Sequence, residues 1–199
     1  MRSIVEARTR LEVKAVISNR PDAAGLEWAR AQGLATRIVD HKSHPTREAF
    51  DEALAGEVEA LGPDLILLAG FMRIFTPGFI ARFPNRIVNI HPSLLPAFPG
   101  LHTHRRALEA GVKLHGCTVH LVTPSVDSGP IVAQAAVPVL AGDTEDTLAG
   151  RVLAAEHRIY PQVVRWFLED RIGILPGDVV QVRGSGVSSD CVISPRDPA

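Results

Sequence analysis

Residues 46–68, TREAFDEALAGEVEALGPDLILL, join a helix pattern directly to a short apolar strand. Apolar side chains recur at spacings of four, four and three between 46 and 61. This predicts an amphipathic helix whose opposite face carries acidic residues, among them Asp51. The run LILL at 65–68 is apolar on both faces, as in a strand that helices cover on both sides of a parallel sheet. The stretch therefore favours an α/β fold.

The alternation of strand and helix continues on both sides of this stretch and predicts a mostly parallel sheet with helices on both faces. Further strands are predicted over 13–18, 36–39, 87–90, 118–122 and 131–137. Further helices are predicted over 22–32, over 104–110 and after Gly142, where Asp143 is the expected N-cap and Pro161 an expected kink. Residues 1–172 are expected to form one domain, and 173–199 a tail with one edge strand at 178–183.

The composition is that of one soluble domain. The 199 residues carry 21 Lys and Arg against 22 Asp and Glu, so no basic excess signals a nucleic-acid partner. No apolar run reaches the roughly 18–20 residues that cross a bilayer, and the first ten residues lack the apolar core of a secretory signal. Cys117 and Cys191 form no CxxC pair, so we expect a cytoplasmic protein without a disulfide framework or a zinc site.

The segment NIHPSLLP, residues 89–96, follows an apolar strand and carries the densest cluster of reactive side chains. Alternate residues of an extended chain point to the same face, so Asn89 and His91 can converge on one reacting atom. An amide and a protonated imidazole each donate a hydrogen bond, and two such donors stabilise an oxyanion. The alternative is that both side chains bond only to the backbone of the following turn.

Asp127 follows another predicted strand in the segment TPSVDSGP. Ligands of α/β sheets bind beyond the carboxyl ends of the strands, so this carboxylate is expected in the same crevice as His91. Its charge would hold the imidazole protonated near neutral pH. The alternative is a turn aspartate that bonds to its own backbone, which the sequence DSGP favours.

Two arginines and an apolar rim suggest a slot for a ligand. Arg47 begins the predicted helix after a flexible loop, and Arg73 lies inside the apolar run Phe71–Phe75. Guanidinium groups suit a carboxylate-bearing ligand, and the apolar rim suits a flat heteroaromatic ring. The alternative is that both arginines are solvated surface residues.

Metal and covalent chemistry have little support in the sequence. The four histidines between 102 and 120 match no common metal spacing, so we expect no metal, and His120 is expected to be buried and hydrogen-bonded. Ser93 and Cys117 are conceivable nucleophiles, but neither lies in a nucleophile-elbow motif.

Five strings in order resemble the phosphoribosylglycinamide formyltransferases of purine biosynthesis, over about 13–171. They are LAGFMRI at 68–74, NIHPSLLPAFPGLHTHRRALEAG at 89–111, HGCTVH at 115–120, DSGPI at 127–131 and AEHRIYP at 155–161. The resemblance implies a Rossmann-like formyltransferase fold. It also implies formyl transfer from 10-formyltetrahydrofolate to the amino group of glycinamide ribonucleotide, by a monomer or homodimer that needs no metal.

The resemblance also implies roles for residues of this chain. The catalytic Asn, His and Asp of the family fall on Asn89, His91 and Asp127. Met72 and Glu156 are implied to face the ribonucleotide. The implied folate contacts are Arg47, Met72, Arg73, Ile74, Phe75, Asn89, Thr123, Val126 and Asp127.

The opening residues depart from the family pattern. Family members begin with a strand and a glycine-rich SGxGSN loop, whose backbone amides hold the substrate phosphate. The opening MRSIVEA resembles the helix that follows this loop, so we expect the first strand to be absent from this chain and the natural start to lie upstream.

Three other functions compete with this interpretation. A methionyl-tRNA formyltransferase would need a large C-terminal domain, and a formyltetrahydrofolate deformylase usually carries an N-terminal regulatory domain. The third is a folate-binding protein that retains the slot without turnover.

Overall fold

The computed structural model describes residues 1–7, 11–184 and 186. They divide into two compact units, 1–87 and 88 onward. Within the described residues, no helix combines the length and apolar character needed to cross a bilayer.

The first unit alternates helices and short strands. Strands β1 and β2 pair in parallel, with Val16 opposite Thr36. The amide of Ile66 in β3 donates to Arg86 O at 2.8 Å. The elements in order are α1 (Arg2–Glu6), β1 (Val16–Ser18), α2 (Ala24–Ala31), β2 (Thr36–Ile38), α3 (Arg47–Leu61), β3 (Ile66–Leu67) and α4 (Pro77–Arg82). The opening segment is thus a helix, as the resemblance implies, whereas α4 was not predicted.

Helix α3 begins and ends where its sequence predicts. The Thr46 hydroxyl accepts from Ala49 N at 3.1 Å, and Gly62 ends the helix at φ 56°, a conformation that glycine adopts without strain. Phe50, Leu54 and Val58 are buried along one face, as expected.

Asp51 departs from the expected polar face of α3. Only 4% of the residue is exposed, and its carboxylate accepts from Thr76 N at 2.6 Å. Thr76 is the N-cap of α4, so the hydrogen bond ties α3 to the segment that leads into α4. Helical periodicity predicted an exposed Asp51. The prediction is wrong because periodicity carries no information on a hydrogen-bond partner 25 residues away.

The second unit is built on antiparallel strands with one long helix. Strand β5 pairs with β4 on one side and with β6 on the other. Every residue of β5 after Leu114 is buried, because α6 packs against β5 and β6. The elements are β4 (Ile87–His91), α5 (Thr103–Glu109), β5 (Leu114–Leu121), β6 (Ile131–Pro138), α6 (Glu145–Leu168), β7 (Ile172–Leu175) and β8 (Val179–Val182).

The N-cap of α6 is Thr144, so the prediction of Asp143 is wrong by one residue. Thr144 and Thr147 form a reciprocal capping box. Asp143 instead accepts from Leu140 N and pairs with Arg151 at 2.8 Å, and this guanidinium lowers the pKa of the Asp143 carboxyl. The helix continues through Pro161.

The C-terminal segment contains an antiparallel hairpin. Strand β8 lies within the strand predicted over 178–183, and β7, its partner, was not predicted. Residues 187–199, including Cys191, lie outside the described residues. The predicted domain boundary near 172 and the predicted tail stay predictions.

Candidate active site

Strand β4 carries Asn89 and His91 on the same face, since the two residues alternate along an extended strand. Asn89 lies opposite His120, and His91 lies opposite Thr118 of β5. The pairing of β5 with β6 shifts register between Val119 and His120. A register shift of this kind re-aims a side chain, and it occurs here beside the candidate site.

His91 lies between a carboxylate and a backbone carbonyl. Its Nδ1 is 3.4 Å from Oδ2 of Asp127, and its Nε2 donates to Phe98 O at 3.0 Å. Phe98 O is an acceptor, so Nε2 carries a proton, and the Asp127 carboxylate lies at ion-pair distance from Nδ1. His91 is 6% exposed, and a buried charge needs a partner of opposite sign. The arrangement places a carboxylate where it would balance a positive charge on the ring.

Asp127 reaches His91 from a tight turn. Its own backbone is left-handed at φ 51°, and its side chain is 11% exposed. Oδ2 also accepts from Gly100 N at 2.8 Å. These partners come from other segments, which is not the arrangement of a turn aspartate that bonds its own backbone.

His120 orients the amide of Asn89. Its Nδ1 donates to Leu121 O at 3.0 Å, so its Nε2 is left to accept from Asn89 Nδ2 at 3.2 Å. Burial lowers the pKa of His120 and favours this neutral ring. Asp127 Oδ1 is 3.8 Å from Nε2, too far for a hydrogen bond. The prediction of a buried, hydrogen-bonded His120 is confirmed, and its contact with Asn89 was missed.

A buried polar network holds the loop after β4. The hydroxyl of Thr118 donates to Ser93 O at 2.7 Å and accepts from Leu95 N at 3.0 Å. Gln134 donates both to Leu95 O and to the same hydroxyl. No sequence motif marks this network, because the Thr118 hydroxyl and the Gln134 amide bond largely to backbone groups of the loop.

Ser93 and Cys117 are structural residues. The Ser93 hydroxyl donates to Ala97 O at 2.6 Å, and the residue is fully buried. Burial raises the pKa of the Cys117 thiol to about 12, and the nearby Glu156 carboxylate adds to the shift. A thiol at that pKa is not a nucleophile near neutral pH.

Two further histidines, His104 and His115, contact each other. The rings of His104 and His115 meet edge to face, with centroids 5.3 Å apart. Burial lowers the pKa of both, that of His115 to about 4, so both rings are neutral near pH 7. Across the part of the chain that the structure describes, no group of three metal-ligating side chains is suited to hold a metal ion.

Part of the predicted folate slot lies in the first unit. Met72 is 75% exposed and Ile74 53% exposed, so both offer apolar surface to a ligand. Phe75 is buried and stacks between Phe71 and Phe79, so its ring packs in the hydrophobic core.

The two predicted arginines differ in their surroundings. The guanidinium of Arg73 lies 5.0 Å from the ring centre of Phe50, and its Nε is buried. Arg73 is therefore not a freely solvated cation. The side chain of Arg47 is 48% exposed, beside Glu48.

The remaining predicted contacts lie in the second unit. Val126 is 49% exposed at the tip of the turn that holds Asp127. Thr123 begins that turn, and its hydroxyl donates to Ser125 O at 3.2 Å. Glu156 lies on α6, where burial raises the pKa of its carboxyl.

A comparison with protein families identifies the family of this chain. The family model described as formyl transferase matches residues 3–164. The chain belongs to the formyl transferase family. This match runs from the opening helix through most of α6 and includes every candidate residue discussed above.

Individual family members are closely similar. The chain is 51% identical over 160 residues to phosphoribosylglycinamide formyltransferase of Escherichia coli strain K12, covering 80% of this chain and 76% of that protein. It is 45% identical over 165 residues to the trifunctional purine biosynthetic protein adenosine-3 of Drosophila melanogaster, covering 83% of this chain and 12% of that protein. The crystal structure of glycinamide ribonucleotide transformylase 1 from Symbiobacterium toebii superposes with a TM-score of 0.86 at 53% identity, covering 90% of this chain and 86% of that one.

These similarities confirm the predicted Rossmann-like α/β formyltransferase fold and the enzyme class, a transferase. The parallel pairing of β1 with β2 agrees with the parallel sheet predicted from the sequence. The antiparallel pairing of β5 with β4 and with β6 was not predicted. The names of these relatives also favour the phosphoribosylglycinamide formyltransferase interpretation over the tRNA and deformylase alternatives.

Proposed function

We propose that this enzyme transfers the formyl group of 10-formyltetrahydrofolate to the amino group of glycinamide ribonucleotide. The observation that carries the proposal is the placement of His91 between Asp127 and Phe98 O, on the same strand face as an amide that His120 holds. High identity to phosphoribosylglycinamide formyltransferases supports the choice of substrates.

The two donors of the site suit a tetrahedral oxyanion. Attack by the substrate amine on the formyl carbon forms a C–N bond and places negative charge on the formyl oxygen. Asn89 has a second amide N–H besides the one directed at His120, and His91 supplies a charged N–H donor. Preorganised donors of this type contribute about 100- to 1,000-fold each.

His91 exchanges partners during the reaction. In the structure its Nε2 donates to Phe98 O, a neutral carbonyl. An oxyanion forms a stronger, charge-assisted hydrogen bond, so it competes well for the same proton. Interaction at Nε2 is therefore stronger in the transition state than in the ground state, which is the condition for catalysis.

Proton transfer completes the reaction. The attacking amine loses a proton, and the folate nitrogen gains one as its bond to the formyl carbon breaks. Asp127 stabilises the charged ring of His91 throughout and lies where it can help relay these protons. No covalent enzyme intermediate is required, which agrees with the buried states of Ser93 and Cys117.

The ligand contacts in this proposal are those that the family resemblance implies. In the first unit Met72 and Ile74 offer the exposed apolar surface that a flat folate ring favours, in the second unit Val126 does so, and Glu156 is assigned to the ribonucleotide. The near-zero net charge and the cysteine usage support a cytoplasmic enzyme of small molecules, and the family resemblance implies a monomer or homodimer.

The test is formyl transfer by the purified chain with both substrates. Formylated ribonucleotide is followed by mass spectrometry and the released folate by absorbance. The proposal expects product only when both substrates are present, with no folate release when the ribonucleotide is omitted. Release without ribonucleotide would indicate a deformylase, and folate binding without any release would indicate a non-catalytic binding protein.

A further inference from the structure

The segment Phe98–Gly100 supplies a backbone contact to each member of the His91–Asp127 pair. The carbonyl of Phe98 accepts from His91 Nε2 at 3.0 Å, and the amide of Gly100 donates to Asp127 Oδ2 at 2.8 Å. The positions of the imidazole and of the carboxylate therefore both depend on the conformation of these three residues.

That conformation is unfavourable for the chain itself. Phe98 has φ 55° and Gly100 has φ 77°, and His102, just beyond, has φ 57°. Residues other than glycine rarely adopt positive φ, so the unfavourable positions here are Phe98 and His102. A phenylalanine persists there only when surrounding groups over-determine its position.

Arg106 is one such surrounding group. Its guanidinium lies 5.6 Å from the ring centre of Phe98, and its Nη1 donates to Pro99 O. The ring of Phe98 also meets that of His115 edge to face at 5.8 Å.

Arg106 is itself held firmly. It lies in α5, where its amide donates to His102 O at 3.0 Å. The next residue, Ala107, is fully buried. Arg106 thus contacts the segment both at the ring of Phe98 and at the carbonyl of Pro99. A planar guanidinium can make both contacts at once, whereas the ammonium of lysine cannot.

We propose that Arg106 is a positioning residue for formyl transfer, because it holds Phe98–Gly100 in the conformation that places His91 and Asp127. This inference rests on the function proposed above. Arg106 touches neither reacting group and acts through the backbone of the segment.

The neighbouring arginine provides a matched control. Arg105 lies on the same helix, and its side chain is 57% exposed and pairs with Glu145 at 3.1 Å. Arg105→Met and Arg106→Met remove the same charge from the same helix, so long-range electrostatics change by the same unit in both.

The kinetic test compares these two variants with wild type and with Arg106→Lys. We expect Arg106→Met to lower kcat about tenfold, with KM for the formyl donor within about twofold, because misplacement of reacting groups lowers rate rather than binding. Arg105→Met should leave kcat unchanged, and Arg106→Lys should fall between wild type and Arg106→Met. A kcat of Arg106→Met within twofold of wild type, or an equal fall in Arg105→Met, would overturn the proposal.

A second measurement does not depend on turnover. The Gly100 amide is protected by Asp127, so its hydrogen exchange reports the conformation of the segment. Arg106→Met should speed exchange at Gly100 at least tenfold while amides in β5 exchange as in wild type, and Arg105→Met should change neither. Unchanged exchange at Gly100 would refute the positioning role, whereas absence of turnover in wild type would refute the proposed function alone.

Discussion

Gly129→Ala is expected to disable the site through a steric effect on the turn that carries Asp127. A Cβ at position 129 would lie 1.9 Å from Leu121 O and 3.0 Å from Thr123 Cγ2. Non-bonded heavy atoms pack at about 3.5–4.0 Å, so the turn must open by roughly 1–2 Å. Asp127 lies two residues away and is 3.4 Å from His91, and a displacement of that size removes the contact.

The expected loss follows from that displacement. Misplacing a catalytic group by about 1 Å costs about 100-fold in rate, which is about 2.7 kcal/mol in activation free energy. The steric strain should also lower the free energy of unfolding by about 1–3 kcal/mol. The assay is steady-state formyl transfer, with thermal unfolding to establish that the variant is folded.

Gly150→Ala is the control for this experiment. Gly150 lies on the exposed side of α6 with no heavy atom within 4 Å of an added Cβ. We expect unchanged kcat/KM and a gain of about 0.5–1 kcal/mol in stability, because alanine favours helix. A folded Gly129→Ala enzyme with kcat/KM within threefold of wild type would refute the steric argument and the role of Asp127.

Two further predictions concern buried polar groups near the site. Thr118→Val keeps the shape of the side chain but leaves the buried Leu95 amide without its acceptor, so the free energy of unfolding should fall by about 1–3 kcal/mol in urea titrations; a loss below about 0.3 kcal/mol would contradict it. The pKa of His115 is lowered to about 4, so between about pH 6.5 and 4 the unfolded state binds a proton that the folded state does not. Stability should therefore fall as pH falls through this range, by at most about 3 kcal/mol, and His115→Gln should flatten the slope; equal slopes in the two proteins would exclude His115 as the cause.

The main catalytic candidates could be predicted because their placement follows from simple periodicities. Asn89 and His91 share a face because side chains alternate along β4. Asp127 was placed near them because it follows a neighbouring strand, and the structure brings it within 3.4 Å of His91.

The supporting groups could not be predicted in the same way. The contacts from Phe98 O and Gly100 N are made by backbone atoms, which every residue type carries, so no side chain marks them in the sequence. The contact of His120 with Asn89 depends on the register of β5 against β4, which the alternation pattern does not show.

The burial of charged side chains was a second source of error in the predictions made from the sequence. The carboxylate of Asp51 is buried because Thr76 N, far along the chain, satisfies it. Helical periodicity detects apolar faces but not the partners of polar groups. The contact between the Arg73 guanidinium and the ring of Phe50 is likewise not marked by helical periodicity.

The most direct test of the account compares wild type and His91→Ala in formyl transfer and in folate binding. His91 is assigned a charged donor that acts mainly on the oxyanion, so its loss should lower kcat at least about 100-fold. The dissociation constant for tetrahydrofolate, measured by fluorescence titration, should stay within about threefold of wild type, since that ligand develops no oxyanion. Turnover by a folded His91→Ala enzyme within tenfold of wild type would contradict the assignment of His91 as the principal catalytic donor.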